Sequence, residues 1–334
     1  MRWIITVVAA FLGSVALAGT SGGLEPATMT RQSRADAWWT GPLLANSAAT
    51  LPRGHVLIEP YLFNAMSRGF FDQHGNHVSA AGSDYYGSTT YFIYGLSDRV
   101  SIGAIPRFAY QHAANEPSSV RVRAGDLSLQ AQYRFMEFSE QHPLPTVSLL
   151  VIETLPTGKY DRLYSGVSDG IGAGVYTTTL SLCTQYYFWT YTGRILRTRF
   201  NVAYSASGAA TVSGASVYGT PNGFHGHANS DGTLNIDLAG EYSLSKRWVL
   251  ALDGIYEHSG ITRVTGDITP GQSNGAAPRA YRSESGTSRY FALAPAIEFN
   301  WSSNVGLIVG ARFIVNGRNT SASVTPIAAI NLFY

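Results

Sequence analysis

Twelve charged side chains share one kind of position in this chain. Glu59, Arg107, Asp126, Arg134, Arg197, Arg199, Asp237, Glu241, Asp253, Glu257, Glu298 and Arg312 each lie in a stretch where residues two apart match in character, and each falls on the polar side of its stretch. They segregate along the chain. From Arg107 to Arg199 the set is mainly arginine, and from Asp237 to Glu298 it is carboxylate only. On a closed wall this sets a basic side against an acidic one, a transverse field that orients dipolar solutes. The same charges could instead pair across a filled interior and hold the wall together, because small barrels are plugged by side chains and large ones are open. At this level both readings stand.

Other residues of chemical interest point less far. His74-Gly-Asn-His77 and His225-Gly-His227 have the close spacing of zinc or copper ligands, but no cysteine and few carboxylates stand near them in sequence, so solvated loop histidines are the simpler reading. His258-Ser259 beside Glu257 invites a lipid hydrolase, yet adjacent strand residues point to opposite faces and cannot form the dyad together. Asp161 and Asp169 lack calcium-loop spacing. The single cysteine, Cys183, excludes an internal disulfide and reads as a small strand residue. No enzyme, cofactor or metal is expected, and no basic–aromatic interleaving suggests nucleic acid.

The elements that must position the charges are strands. Between Arg121 and Phe138, Leu127, Leu129, Ala131, Tyr133 and Phe135 fall on one face, and Asp126, Ser128, Gln130, Gln132 and Arg134 on the other. Only a period of two separates these sets. The pattern recurs about twelve times between 54 and 334, with the fifth stretch, near 144–155, almost continuously apolar. Pro106 is expected at a bulge or a weak ladder position of the third strand. Short connections at 95–98, 139–143, 190–194, 244–247 and 300–304 alternate with longer ones at 65–83, 113–120, 156–172, 207–231, 260–286 and 316–322. Short turns on one side and long loops on the other are the pattern of an outer-membrane barrel. Trp189, Tyr191, Trp248 and Trp301, beside short turns, fit its periplasmic aromatic girdle.

Composition agrees. Charged residues are 13% of 334, about half the usual soluble share, while 20 tyrosines, 15 phenylalanines and 35 glycines are present. No stretch after the N-terminus is apolar for the roughly 20 residues that a membrane helix needs. Residues 1–18 read as a cleaved secretory signal, with Arg2, an apolar run to Leu12 and Ala16-Leu17-Ala18. Residues 19–53, with Trp38-Trp39 and Gly41-Pro42, carry no strand pattern and read as a periplasmic or lumen-tucked extension. The expected fold is an all-β, antiparallel up-and-down transmembrane barrel of about twelve strands in a Gram-negative outer membrane. Its partners would be membrane lipid, barrel-insertion machinery reading the strand that ends in Tyr334, and a small solute. The six long connections and the glycine-rich wall suit a passage better than a solid plug.

Gly125-Asp126-Leu127-Ser128-Leu129 through Tyr133-Arg134-Phe135, followed by Leu155-Pro156-Thr157-Gly158-Lys159, resembles the outer-membrane family named for the phenol-degradation meta-pathway. Tyr94 to Arg99 is similar to that family's first hairpin turn and Leu51 to His55 to the approach to its first strand, although Gln132 stands where a lysine is common. The resemblance implies a barrel that passes small, often aromatic, molecules inward, and it brings no catalytic residues. A channel for small, hydrophobic or aromatic solutes is thus the leading expectation. The alternatives are a non-conducting structural or surface-binding barrel and, behind it, a barrel lipid hydrolase.

Overall fold

The computed structural model describes residues 30–114, 117–164, 166–269 and 277–334. The expected signal at 1–18 and the first part of the extension, 19–29, lie outside the described residues. In chain order the strands are β1 (Val56–Phe71), β2 (His77–Ser97), β3 (Val100–Ile105), β4 (Arg107–Ala113), β5 (Arg123–Ala124), β6 (Leu127–Met136), β7 (Thr146–Leu155), β8 (Thr177–Trp189) and β9 (Ile195–Ser207). They continue with β10 (Ala209–Ser213), β11 (Phe224–Ser230), β12 (Thr233–Ser243), β13 (Trp248–Ser259), β14 (Thr262–Ile268), β15 (Arg279–Glu284), β16 (Ser288–Asn300), β17 (Val305–Arg318) and β18 (Thr320–Phe333).

Fourteen of these segments form one antiparallel sheet that closes on itself where β1 pairs with both β18 and β2. β3 and β4 are one wall strand interrupted at Pro106, which has no N–H for the ladder, and β5 and β6 are the matching halves of its neighbour. The wall therefore has twelve strands, each beside its chain neighbour. Val56 and Tyr334 exchange backbone hydrogen bonds of 2.9 Å at the seam.

Which way the wall faces is plain from an inversion of the soluble rule. Leu238 is 60% exposed and Leu252 49%, while Glu241 and Asp253, on the opposite face of the same strands, are fully buried. Leucine outside and carboxylate inside is what a strand between lipid and a polar interior requires. The same parity holds at Leu129 and Gln130 of β6, the first exposed and the second buried.

Several connections that read as loops are strands. The 65–83 and 316–322 stretches are the upper parts of β1, β2, β17 and β18, joined by tight turns at 72–76 and at Asn319. The long 207–231 and 260–286 stretches hold β10, β11, β14 and β15, a second sheet in the order β10-β11-β14-β15. That order repeats the neighbouring wall strands β9, β12, β13 and β16, so four staves continue beyond the barrel as one extension. A glycine stands at each joint, Gly208, Gly232, Gly260 and Gly286. At Gly232 it is required: φ is +94°, and a Cβ there would lie 2.6 Å from the Tyr204 hydroxyl. Strands above the lipid need no apolar outer face, so their alternation weakens and they pass for loops.

The inner face of this extension, with Val212, Phe224 and Val264 buried, packs on Val175, Tyr160 and Tyr218 of the neighbouring loops. The β7–β8 loop is tied to the wall beneath it. Asp126 accepts hydrogen bonds from the Gly158 N–H at 2.8 Å and the Ala173 N–H at 2.7 Å. Asp169 pairs with Arg123, whose Nε donates at 2.6 Å.

Candidate functional site in the barrel lumen

The lumen is occupied by the chain itself. Residues 31–53, before β1, run from the rim into the barrel and back to it. At the rim the Trp189 indole donates to the Gln32 carbonyl at 2.9 Å, with the Arg31 guanidinium 3.5 Å over its ring. This corrects the girdle reading for Trp189, which by parity faces the lumen mouth and holds the strap. Tyr191, Trp248 and Trp301 are exposed beside the short turns. The returning limb is anchored by Thr50, whose hydroxyl donates to the Asp98 carbonyl at 2.7 Å, and by the Arg53 N–H, which donates to the Asp98 carboxylate at 3.0 Å.

At its deepest part the strap meets the inward charges with its main chain. The Thr40 and Gly41 N–H groups donate to Glu298 at 2.7 and 3.3 Å. Those of Leu43, Leu44 and Ala45 donate to Asp253 at 3.1, 3.3 and 3.0 Å. Hydrogen bonds from N–H groups to a carboxylate are charge-assisted and stronger than neutral ones. On the facing wall the Arg199 guanidinium donates to the Ala45 carbonyl at 2.7 Å, the Asn201 amide to Asn46 at 2.9 Å, and the Gln132 amide to Ser47 at 2.7 Å. Acidic strands thus bind the strap's donors and basic or amide strands bind its acceptors. Gly41 has φ of +121°, and a Cβ there would meet the Arg199 guanidinium at 3.3 Å.

The twelve candidate charges divide by what they touch. Arg197 donates to Glu241 through Nε at 2.7 Å, and Arg199 lies 3.4 Å from the same carboxylate, so the two walls join where β9 meets β12. Arg197 also stacks 4.6 Å over Trp39 of the strap. Glu241, Asp253 and Glu298 are fully buried. Glu59 accepts from Asn331 at 3.4 Å. Glu257 accepts from the Tyr290 hydroxyl at 3.1 Å, and Asp237 Oδ1 and Arg312 Nε are buried with no hydrogen-bond partner among the described residues. Three more are engaged elsewhere on the wall and its loops. Arg107 donates to Ser128 at 2.8 Å, Asp126 holds the β7–β8 loop, and Arg134 sits at the rim on the Asp98 carbonyl and on Glu137.

Of the two places open to this extension, residues 31–53 take the lumen, but how they bind the charges is not legible in the sequence. Leu43 to Ala49 carries no charged side chain, and its contribution is main-chain N–H and C=O, which every residue has. Beside it remains a cavity of about 320 Å³, whose lining includes Leu57, Tyr61, Tyr91, Leu150 and Phe333 together with Glu59. Leu43 packs into an apolar cluster with Ile255, Ala292, Ile308 and Ile327 on the lumen side of the wall. His258 and Ser259 are adjacent on β13; the Ser259 hydroxyl accepts from Thr233 at 3.1 Å. Outside the membrane-spanning part, burial pushes the Asp169 carboxyl up, but the hydrogen bonds and charge of Arg123 outweigh it and hold the group below the ordinary aspartate range.

Residues 69–325 match the family model described as "Putative MetA-pathway of phenol degradation". No curated protein sequence matches the chain. Among solved structures, the chain is similar to an outer membrane channel from Pseudomonas putida F1, with a TM-score of 0.66 at 13% identity over 87% of this chain and 100% of that one. The likeness shows a shared fold. The Pseudomonas putida toluene transporter TodX is more distant in shape, at TM-score 0.39 and 12% identity over 91% of this chain and 98% of its own.

Proposed function

The chain belongs to the family of the MetA pathway of phenol degradation, and from that premise we propose that it is an outer-membrane channel admitting small, hydrophobic or aromatic solutes past its lumen strap. The observation that carries this reading is the cavity beside the strap. It is about 320 Å³, partly lined by aromatic and aliphatic side chains, and it lies beside the strap that occupies part of the lumen. A lumen occupied in this way suits single small solutes better than bulk flow of water and ions. In this reading Arg197, Arg199, Glu241, Asp253 and Glu298 hold the strap, and Glu59 faces the cavity. Asp237, Glu257 and Arg312 face the remaining lumen. The exposed leucine belt meets lipid, and the strand ending in Tyr334 is what insertion machinery reads.

A locked strap tests the reading. Ala48 and Cys183 are both fully buried in one cluster, so Ala48→Cys places a second thiol beside the native one, and loss of both free thiols on oxidation verifies a strap–wall cross-link. Vesicles with a lipopolysaccharide outer leaflet, carrying the protein, should take up labelled phenol faster than empty vesicles. The oxidised Ala48→Cys variant should lose most of that flux, and reduction should restore it. Uptake no faster than in empty vesicles would favour the second reading, a non-conducting barrel whose outer extension binds a partner, for which the occupied lumen also speaks. Equal flux in oxidised and reduced forms would remove the strap from the route.

A further inference from the structure

We propose that the outer extension carries a site for a divalent transition metal of the zinc or copper kind, built from His225, His227 and Asp267. His225 and His227 are two apart on β11 and both point away from the packed face of the sheet. Register places Asp267 of β14 directly across from His225, and Thr265 across from His227. Forty-one residues of chain lie between His225 and Asp267, and only the sheet joins them.

The geometry follows from strand dimensions. Residues two apart on a strand are about 6.5–7 Å apart, and directly paired residues about 5 Å. Two imidazoles and one carboxylate at the corners of such a triangle can reach a common ion at the usual 2.0–2.2 Å. Two nitrogens with one carboxylate are a donor set for zinc, copper or nickel, whereas calcium and magnesium take oxygen alone. The platform is stiff, because Val212, Phe224, Ala228 and Val264 are buried on its other face. Between the ligands Gly226 stands opposite Gly266, and a Cβ at Gly226 would lie 2.2 Å from the Thr265 carbonyl. Above this pair is a hollow of about 490 Å³, rimmed by His225, His227, Asp267, Thr211 and Ser213.

Among the described residues no three such side chains already converge. All three ligands are exposed, so their side chains can turn without disturbing the packed face of the sheet. The other histidine pair lacks a ready carboxylate: Asp72 beside it already accepts from the His74 and Asn76 N–H groups at 2.8 Å each.

Zinc chloride titrated calorimetrically into the detergent-solubilised full barrel is the test, with copper(II) spin resonance as a second readout. The expected result is one saturable ion per chain. Affinity should fall at least tenfold in His225→Ala and in His227→Ala, and measurably in Asp267→Asn, and copper should show nitrogen splitting lost in the histidine variants. The His74→Ala, His77→Ala double variant should bind as the parent does. Unheated gel mobility of each variant confirms the fold. Absence of saturable binding, or binding that survives both single histidine changes or depends on His74 and His77, would overturn the assignment.

Discussion

At the scale of residues, Glu241 is the pivot of the lumen. It is fully buried and touches both Arg197 and Arg199. Removing one member of a buried ion pair leaves the others desolvated and uncompensated, at a cost of about 3–5 kcal/mol. Glu241→Gln should therefore lower the urea unfolding midpoint strongly, and the Arg197→Ala, Arg199→Ala double variant should do likewise. A midpoint within error of the parent's would mean that water reaches these groups. Asp169 gives a pH dependence outside the membrane. Its carboxyl is held below the unfolded value, so its contribution is present above the ordinary aspartate range, about 3.9, and is lost as pH falls through the lower folded value. Proteolysis of the β7–β8 loop should speed up on acidification through that window. In Asp169→Asn the loop should be cut readily at every pH; a parent-like pH profile in that variant would place the sensitivity elsewhere.

At the scale of elements, β6 tests which face is which. Leu129 is 44% exposed toward lipid and Gln130 is 8% exposed toward the lumen. Leu129→Arg puts a charge into hydrocarbon and should cost about 2–4 kcal/mol near the midplane. Gln130→Arg, one residue on, turns its guanidinium into the cavity beside the strap and should cost less. Folding yields and unfolding midpoints in lipid compare the two, and equal damage would mean that β6 is dry on both sides. The upper extension depends on its joints in the same local way. Its four staves continue wall strands, and a backbone that leaves the wall at φ of +94° needs glycine at position 232.

At the scale of the whole molecule, twelve strands set a problem that the strap resolves. Eight-stranded barrels can be filled by their own side chains, and porins of sixteen to eighteen strands leave an aqueous channel. A twelve-stranded wall lies between, and here a segment of the chain itself takes up the space, bound through its backbone to two carboxylates and to an arginine, an asparagine and a glutamine opposite. Asp253 alone accepts three of these hydrogen bonds. Asp253→Ala should loosen the strap while the wall stays closed. Native Cys183, buried in one cluster with Ala48 of the strap, reports it: maleimide should label the thiol at least several-fold faster in Asp253→Ala than in the parent, with unheated gel mobility unchanged. Labelling at the parent rate would show that Asp253 does not hold the strap.

The period-two alternation by itself determined the strands, the face that meets lipid and the number of staves, because lipid imposes one rule on every residue it touches. The stretch from Leu127 to Phe135 carries that rule in full, and the inward charges follow from it by parity. Above the membrane the rule lapses, so β10, β11, β14 and β15 were not legible as strands. Whether the inward charges stood free or in pairs was equally hidden, because the strap that meets them contributes main-chain groups that any sequence supplies. Only closure of the wall brought Glu241 against Arg197, Asp253 against Leu43 to Ala45, and Asp267 across from His225. Those contacts depend on register between strands far apart in the chain, and a single strand's pattern holds no record of its neighbour.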